Sequence, residues 1–232
     1  MNKKLIINIA LVIVACVLGY LVVDSIRQPI IFTETLNKRQ DGTWNADTKE
    51  INNKNGEFEV CVKQSLIDIR DAQILYRQRY NQFTDNFDTL IAFVKNDSLP
   101  IIIREHDAAD STYTKTIDKI VGYTKVADSL FGKRKNFSID NMCYIPFSKD
   151  NAVKFEMEAG FINSGNVKVP VLEVRAPFET YLWDLDQQRV RNLKAEIEEK
   201  NKNITNPKMI KYPGRKLGSL EEASLNGNWE SL

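Results

Sequence analysis

The chain opens on a run without a charge, Leu5-Ile-Ile-Asn-Ile-Ala-Leu-Val-Ile-Val-Ala-Cys-Val-Leu-Gly-Tyr-Leu-Val-Val23, which is apolar on every face of a helix. At a helical rise of 1.5 Å per residue it reaches about 28 Å, close to the ~30 Å hydrocarbon core of a bilayer. Asn8 is its one strongly polar side chain and sits near one end. The pattern predicts a membrane anchor running through Leu5, Val12, Leu18 and Val23, with the lipid bilayer as the partner of residues 5–23. Pro29 reads as the stop, because its ring nitrogen has no hydrogen to donate. Residues 37 to 56 are polar and rich in asparagine, with Gly42 and Gly56, and read as a tether. The expected divisions are 1–28 for a cytoplasmic tip and anchor, 29–56 for a linker, and 57–232 for a folded domain.

Within that domain the period of the apolar positions changes several times. Val62, Leu66, Ile69, Gln73, Tyr76 and Tyr80 follow steps of three and four, predicting a helix over 57–80. Leu66, Ile69, Tyr76 and Tyr80 on that stripe form a possible interaction face. Thr84 or Asp85 is placed to cap a short helix whose Phe87, Leu90, Ile91 and Val94 share a side, and Pro100 marks its end. Ile101-Ile-Ile103 suits a buried strand, and residues 119–127 and 141–147 are further strand candidates. Val153, Phe155, Met157, Ala159 and Phe161 alternate with charged residues, Asn163-Ser-Gly-Asn166 supplies turn chemistry, and Val167 to Val174 returns, which is a hairpin. Pro170 in the returning strand calls for an edge or a bulge. A second long helix is expected over 178–201. The final thirty residues, with two prolines and three glycines, read as irregular, with Leu217, Leu220 and Trp229 docking on the core. The sum is an α+β domain of two long helices, one short helix and an antiparallel sheet of about four or five strands.

Charge sets the orientation. Lys3 and Lys4 precede the apolar run, whereas Asp24 and Arg27 cancel after it, so the positive-inside bias puts the N-terminus in the cytoplasm and residues 24–232 outside. Two other fates of the segment compete. A cleaved signal peptide has an apolar core of about 7 to 15 residues and a small-residue exit, and this run is longer and lacks one. Ile13-Val-Ala-Cys16 resembles a lipoprotein cleavage box, but cutting there leaves Val17 to Val23 as an apolar start. Across the whole chain 32 basic residues face 31 acidic ones, which argues against a nucleic-acid partner. Lys133-Arg-Lys135 reads as a solvated loop.

Candidate chemistry thins out on inspection. His106 is the single histidine, and no cysteine or carboxylate pattern near it has metal-ligand spacing. Arg104 to Asp110 reads as a solvated loop. No serine occupies a nucleophile elbow. Gly214-Arg-Lys-Leu-Gly218-Ser219 is one residue short of a phosphate loop and has no lysine before its serine. Asp184 and Asp186 point to different sides of a helix. Cys61 and Cys143 either form one bridge outside the cytoplasm or pack as two buried thiols. No catalytic residue, cofactor or metal is expected.

Leu66-Ile-Asp-Ile-Arg-Asp-Ala-Gln73, Phe87 to Lys95, Tyr144-Ile-Pro-Phe147, Leu217-Gly-Ser-Leu-Glu-Glu222 and Gly227-Asn-Trp-Glu230, together with the short anchor, resemble uncharacterised single-pass proteins of Bacteroidota. The resemblance implies an inner-membrane protein facing the periplasm and carries no activity with it. A shorter stretch, Ile69 to Tyr76, Tyr80-Asn-Gln-Phe83 and Phe87-Asp-Thr-Leu90, resembles type IV pilins and pseudopilins in joining a membrane helix to a small antiparallel sheet. It departs from them in lacking the prepilin cleavage site and the glutamate inside the apolar segment, and in the expected break from Pro29 onward. The reading that follows is a membrane-anchored structural or interaction subunit of a cell-envelope assembly, touching other envelope proteins or copies of itself. A periplasmic binding module for a glycan or lipid, with a pocket lined by Phe155, Met157 and Phe161, stands second, and an envelope hydrolase third.

Overall fold

A computed structural model describes residues 3–45, 50–51, 60–106, 116–134, 137–206 and 210–230. Helix α1 spans Lys3–Asp41, 39 residues, and takes in the whole apolar run. Pro29 lies inside it, which corrects the expected stop. A proline in mid-helix costs about 3 kcal/mol, and tertiary contacts beyond it offset that cost. Thr33 Oγ1 donates to the Pro29 carbonyl at 2.9 Å, and Phe32 and Leu36 pack on the domain core. The helix ends at Gly42, whose φ of 68° is the left-handed conformation glycine adopts freely and whose N–H bonds the Lys38 carbonyl at 3.0 Å. Residues 29–41 of the expected linker are therefore helix, and the break expected from Pro29 onward falls at Gly42. Strands β1 (Trp44–Asn45) and β2 (Glu50–Ile51) pair antiparallel beyond it. Residues 46–49 and 52–56 of the linker lie outside the described residues.

Helix α2 (Val62–Tyr80) is capped by Cys61, whose Sγ accepts from the Gln64 amide at 3.4 Å, and it ends at left-handed Asn81. Helix α3 (Phe87–Asn96) is capped by Asn86 rather than by Thr84 or Asp85: Asn86 Oδ1 accepts from the amides of Asp88 at 2.8 Å and Thr89 at 3.3 Å. Thr84 is instead buried against α2. Its carbonyl accepts from Gln73 Nε2 at 2.6 Å, and its amide donates to Gln73 Oε1 at 3.1 Å. This explains the one polar member of the α2 stripe.

Strands β3 (Ser98–His106) and β4 (Thr116–Lys125) form a two-stranded antiparallel ribbon with a bulge between Ile101 and Ile102. The expected burial of Ile101, Ile102 and Ile103 is wrong, for they are 45, 51 and 47 % exposed. The ribbon joins no other strand among the described residues, so its apolar side chains have no sheet to face. Helix α4 (Val126–Phe131) follows at once. The strand expected over 141–147 is a 3-10 turn at Ile139–Cys143 followed by a single bridge from Tyr144 to Lys154.

Strands β5 (Glu156–Ser164) and β6 (Val167–Pro177) make the expected hairpin. Gly165 takes φ of 61° at the first position of the two-residue loop, as such a tight turn requires. After β6 the chain forms α5 (Phe178–Tyr181) and α6 (Gln187–Lys202), two helices where one was expected. Asp186 ends the continuity by capping α6, its Oδ1 accepting from the amides of Gln188 and Arg189. Strand β7 (Gly214–Ser219), in the tail expected to be irregular, completes a three-stranded sheet of order β5-β6-β7. It pairs with β6 only from Leu172 to Pro177, so Pro170 sits where β6 has a single neighbour and loses no ladder bond. The architecture is α+β, with one three-stranded sheet, a separate ribbon and the short β1–β2 pair in place of a sheet of four or five. Leu66, Ile69, Leu90, Leu172, Val174, Tyr181, Leu182 and Leu217 form the centre of the core.

Candidate functional site

Besides the pairing of Arg175 with Glu156, Glu158 and Glu173 on the sheet, two places concentrate polar and ionic contacts. The first is the junction of α1 with the domain. Arg39 Nη1 and Nη2 donate to the two oxygens of Asp184 at 2.5 and 2.8 Å, and Nη1 also donates to the Tyr181 carbonyl at 2.8 Å. Its guanidinium carbon lies 5.3 Å from the ring centre of Phe147. Next to it, buried Gln40 donates to the Tyr181 hydroxyl at 2.9 Å. Asp41 accepts from Arg215 Nη2 at 2.6 Å through both oxygens. The fork of an arginine on a carboxylate fixes direction as well as distance, so three successive residues bolt α1 to the α5–α6 turn and to β7. The Arg39 hydrogen bond holds the Asp184 carboxyl below the usual carboxylate range, and burial pushes the Tyr181 phenol well up.

The second is an open cleft of about 630 Å³ between the first turns of α2 and the loop from Phe137 to Asn151. The loop holds three non-glycine residues in the left-handed region, Phe147 at φ 62°, Asp150 at 55° and Asn151 at 48°. Each such placement costs of order 1 kcal/mol or more, and clusters of them mark shaped sites. Asp68, 3 % exposed, lies in the wall. Its two oxygens accept from Arg134 Nη1 at 2.6 Å and from Gln64 Nε2 at 2.9 Å. The Arg134 guanidinium sits 5.6 Å from the ring centres of both Phe131 and Phe137, which stack on each other at 4.1 Å. The basic cluster expected as a solvated loop therefore contributes a structural ion pair, and Lys135 is outside the described residues.

The sequence-derived candidates distribute as follows. Leu5, Val12, Leu18 and Val23 all lie on α1, and the last three are 63, 57 and 62 % exposed. This one helix is long and apolar enough to cross a membrane. The stripe offered as an interaction face points inward: Leu66 and Ile69 are fully buried, Tyr76 is 8 % exposed, and only Tyr80 reaches the surface. Their spacing reports the core, because the same periodicity serves any apolar contact. Cys61 and Cys143 are both buried and are not bonded to each other, and burial raises the Cys143 thiol. Phe155 is in the core, Met157 packs on it and Phe161 is exposed, and none of them lines the cleft. His106 ends β3, and residues 107–110 of its acidic segment lie outside the described residues. Gly214–Ser219 is a strand. Among the described residues no three metal-ligating side chains come together.

Arg39, Gln40, Asp41 and Arg134 escaped sequence reasoning. Arg39 meets Asp184 across 145 positions and Asp41 meets Arg215 across 174, so no local spacing announces them. No family model, no curated protein and no solved structure matches this chain.

Proposed function

We propose that the chain is a membrane-anchored structural or interaction subunit of an envelope assembly, with its folded domain on the non-cytoplasmic face. The observation that carries this is the two-ended character of α1. From Leu11 to Val23 its large apolar side chains are 52 to 70 % exposed, while its last three residues are bolted to the domain. Such a helix is costly in water and favourable in lipid. Lys3 and Lys4 on one side favour a cytoplasmic N-terminus. The bolt makes the helix a stalk: residues 24 to 41 extend about 27 Å beyond the apolar run, and their last turn fixes the domain to the helix.

Carbonate washing of membranes, protease treatment of spheroplasts and affinity purification after crosslinking test this reading. Retention in the membrane, digestion from outside and recovery of defined partners are expected. Release by carbonate, or full protection from external protease, would refute it.

A second reading, a module binding a glycan, is favoured by the cleft, whose wall combines Asp68, Asn141, Tyr144 and Phe147 around strained backbone. Chitobiose titrated into the full chain in detergent should then perturb resonances of Phe137 and Tyr144, and an unchanged spectrum at millimolar sugar would remove it.

A further inference from the structure

Phe147 belongs both to the α1 junction and to the cleft. Its ring lies against the Arg39 guanidinium, whose carbon is 5.3 Å from the ring centre, and the residue lines the cleft. Its carbonyl accepts from Trp183 Nε1 at 3.1 Å, and Trp183 directly precedes Asp184, the carboxylate that Arg39 grips. Phe147 thus meets both elements that the bolt joins. Its backbone is held against its own preference. The Ser148 N–H donates to the Ile145 carbonyl at 3.2 Å, closing a turn with Pro146 second and Phe147, at φ 62°, third. That is the arrangement of a type II turn, whose third position favours glycine. For a residue with a side chain this conformation is disfavoured roughly five- to thirtyfold. Beside it Ser148, 4 % exposed, buries its hydroxyl with no hydrogen-bond partner among the described residues, a second cost in the same turn. Core packing around the ring, Arg39 and Trp183 supply the contacts from outside the turn that oppose these costs.

We propose that Phe147 is a conformational link between the stalk and the cleft. The docked end of α1 holds Phe147 in its left-handed conformation and so shapes the cleft wall, and release of Arg39 lets the loop from Pro146 to Asn151 relax and the wall change. The dependence runs both ways: whatever fixes the loop tightens the end of α1 by the same factor. The link depends on contacts at the domain end of α1, and neither on lipid around the other end nor on a sugar in the cleft. It therefore stands or falls separately from both readings given above.

Hydrogen exchange on the full chain in nanodiscs tests the link. The amides of Ser148 and Asn151, bonded to the Ile145 and Ser148 carbonyls, report the loop, and those from Leu36 to Asp41 report the end of α1. Arg39→Ala should make the loop amides exchange about fivefold faster, while the centre of α2 keeps its rate. Phe147→Gly should make the end of α1 exchange about fivefold faster through loss of the ring. It should nevertheless leave Ser148 at or below its wild-type rate, since glycine meets the requirement of the turn. With Arg39→Ala already present, Phe147→Gly should add nothing at the end of α1. Loop amides unmoved by Arg39→Ala, or an effect of Phe147→Gly on α1 that is undiminished without Arg39, would overturn the link. So would equal acceleration of the loop, the end of α1 and the centre of α2 in Phe147→Gly, which would make the ring an ordinary core side chain.

Discussion

Replacing Arg39 by alanine should free the end of α1 from the domain without unfolding the domain. The wild-type side chain makes two hydrogen bonds to Asp184 and one to the Tyr181 carbonyl, and is 15 % exposed, against 39 % for Asp184. A fully exposed pair contributes about 0 to 1 kcal/mol and a buried one, broken on one side, about 3 to 5 kcal/mol. This pair lies between those limits, nearer the first because water reaches Asp184, and the lost bond to the Tyr181 carbonyl adds about 1 kcal/mol. The expected loss is therefore about 2 kcal/mol, which corresponds to roughly thirtyfold faster opening. Hydrogen exchange of the amides from Leu36 to Asp41 and from Phe178 to Asp184, on full chain in nanodiscs, reads this directly. Amides in the centre of α2 serve as the control and should keep wild-type protection. Arg39→Lys should fall between, since an ammonium keeps the charge and loses the fork. Arg39→Ala with Asp184→Ala should cost less than the sum of the two single changes. If exchange in both segments stays at the wild-type rate, or if the double change is additive, α1 is not held by this pair and the stalk reading fails with it.

Gln73→Leu should destabilise the domain by about 2 to 4 kcal/mol, because Thr84 then has a buried amide and carbonyl with no partner; chemical denaturation measures it, and a change under about 0.5 kcal/mol would show that the two groups find water. Arg134→Ala leaves Asp68 buried with only Gln64 as a donor and should cost about 3 kcal/mol, with most of the loss recovered when Asp68→Leu is added. Acid should loosen the α1 junction: the Asp184 carboxyl is held below its ordinary 3.8 by Arg39, so its contribution is complete above the usual carboxylate range and disappears as pH falls through the depressed value. Spin labels on α1 and α6 should therefore report one distance at pH 5 and a progressively broader set as the pH is titrated down below 3.8, and a distribution that never changes would contradict the assignment.

The elements that local chemistry dictates were legible in the residues. Alternation from Phe155 to Ala159 with a glycine-bearing turn at Gly165 defines a hairpin, and the spacing of Leu66, Ile69 and Tyr76 defines α2, because each pattern matches one backbone period. What was missed depends on partners far along the chain. Strand β7 has one core residue in its centre, Leu217, and few side chains that favour strands, and it exists because β6 offers a free edge from Leu172 to Pro177. Helix α1 passes Pro29 because Phe32, Leu36 and the Arg39–Asp184 pair hold the far side. Ile101 to Ile103 announce apolar contact but not its location, since a run of β-branched residues reads the same whether a sheet or a second molecule covers it.

Pro29 stands between two fixed points. On one side lies the apolar run, which the anchored reading places in lipid, and on the other Arg39, Gln40 and Asp41 are set by the domain. Between them the proline leaves the carbonyl one turn earlier, at Ser25, without its helical donor, some 3 Å along the axis past the end of the apolar run. A missing rung at that height makes this a compliant joint in the stalk. On the anchored reading, pull or tilt applied to the domain is absorbed there, so the body leans over the lipid surface as one piece while its grip on the helix stays intact.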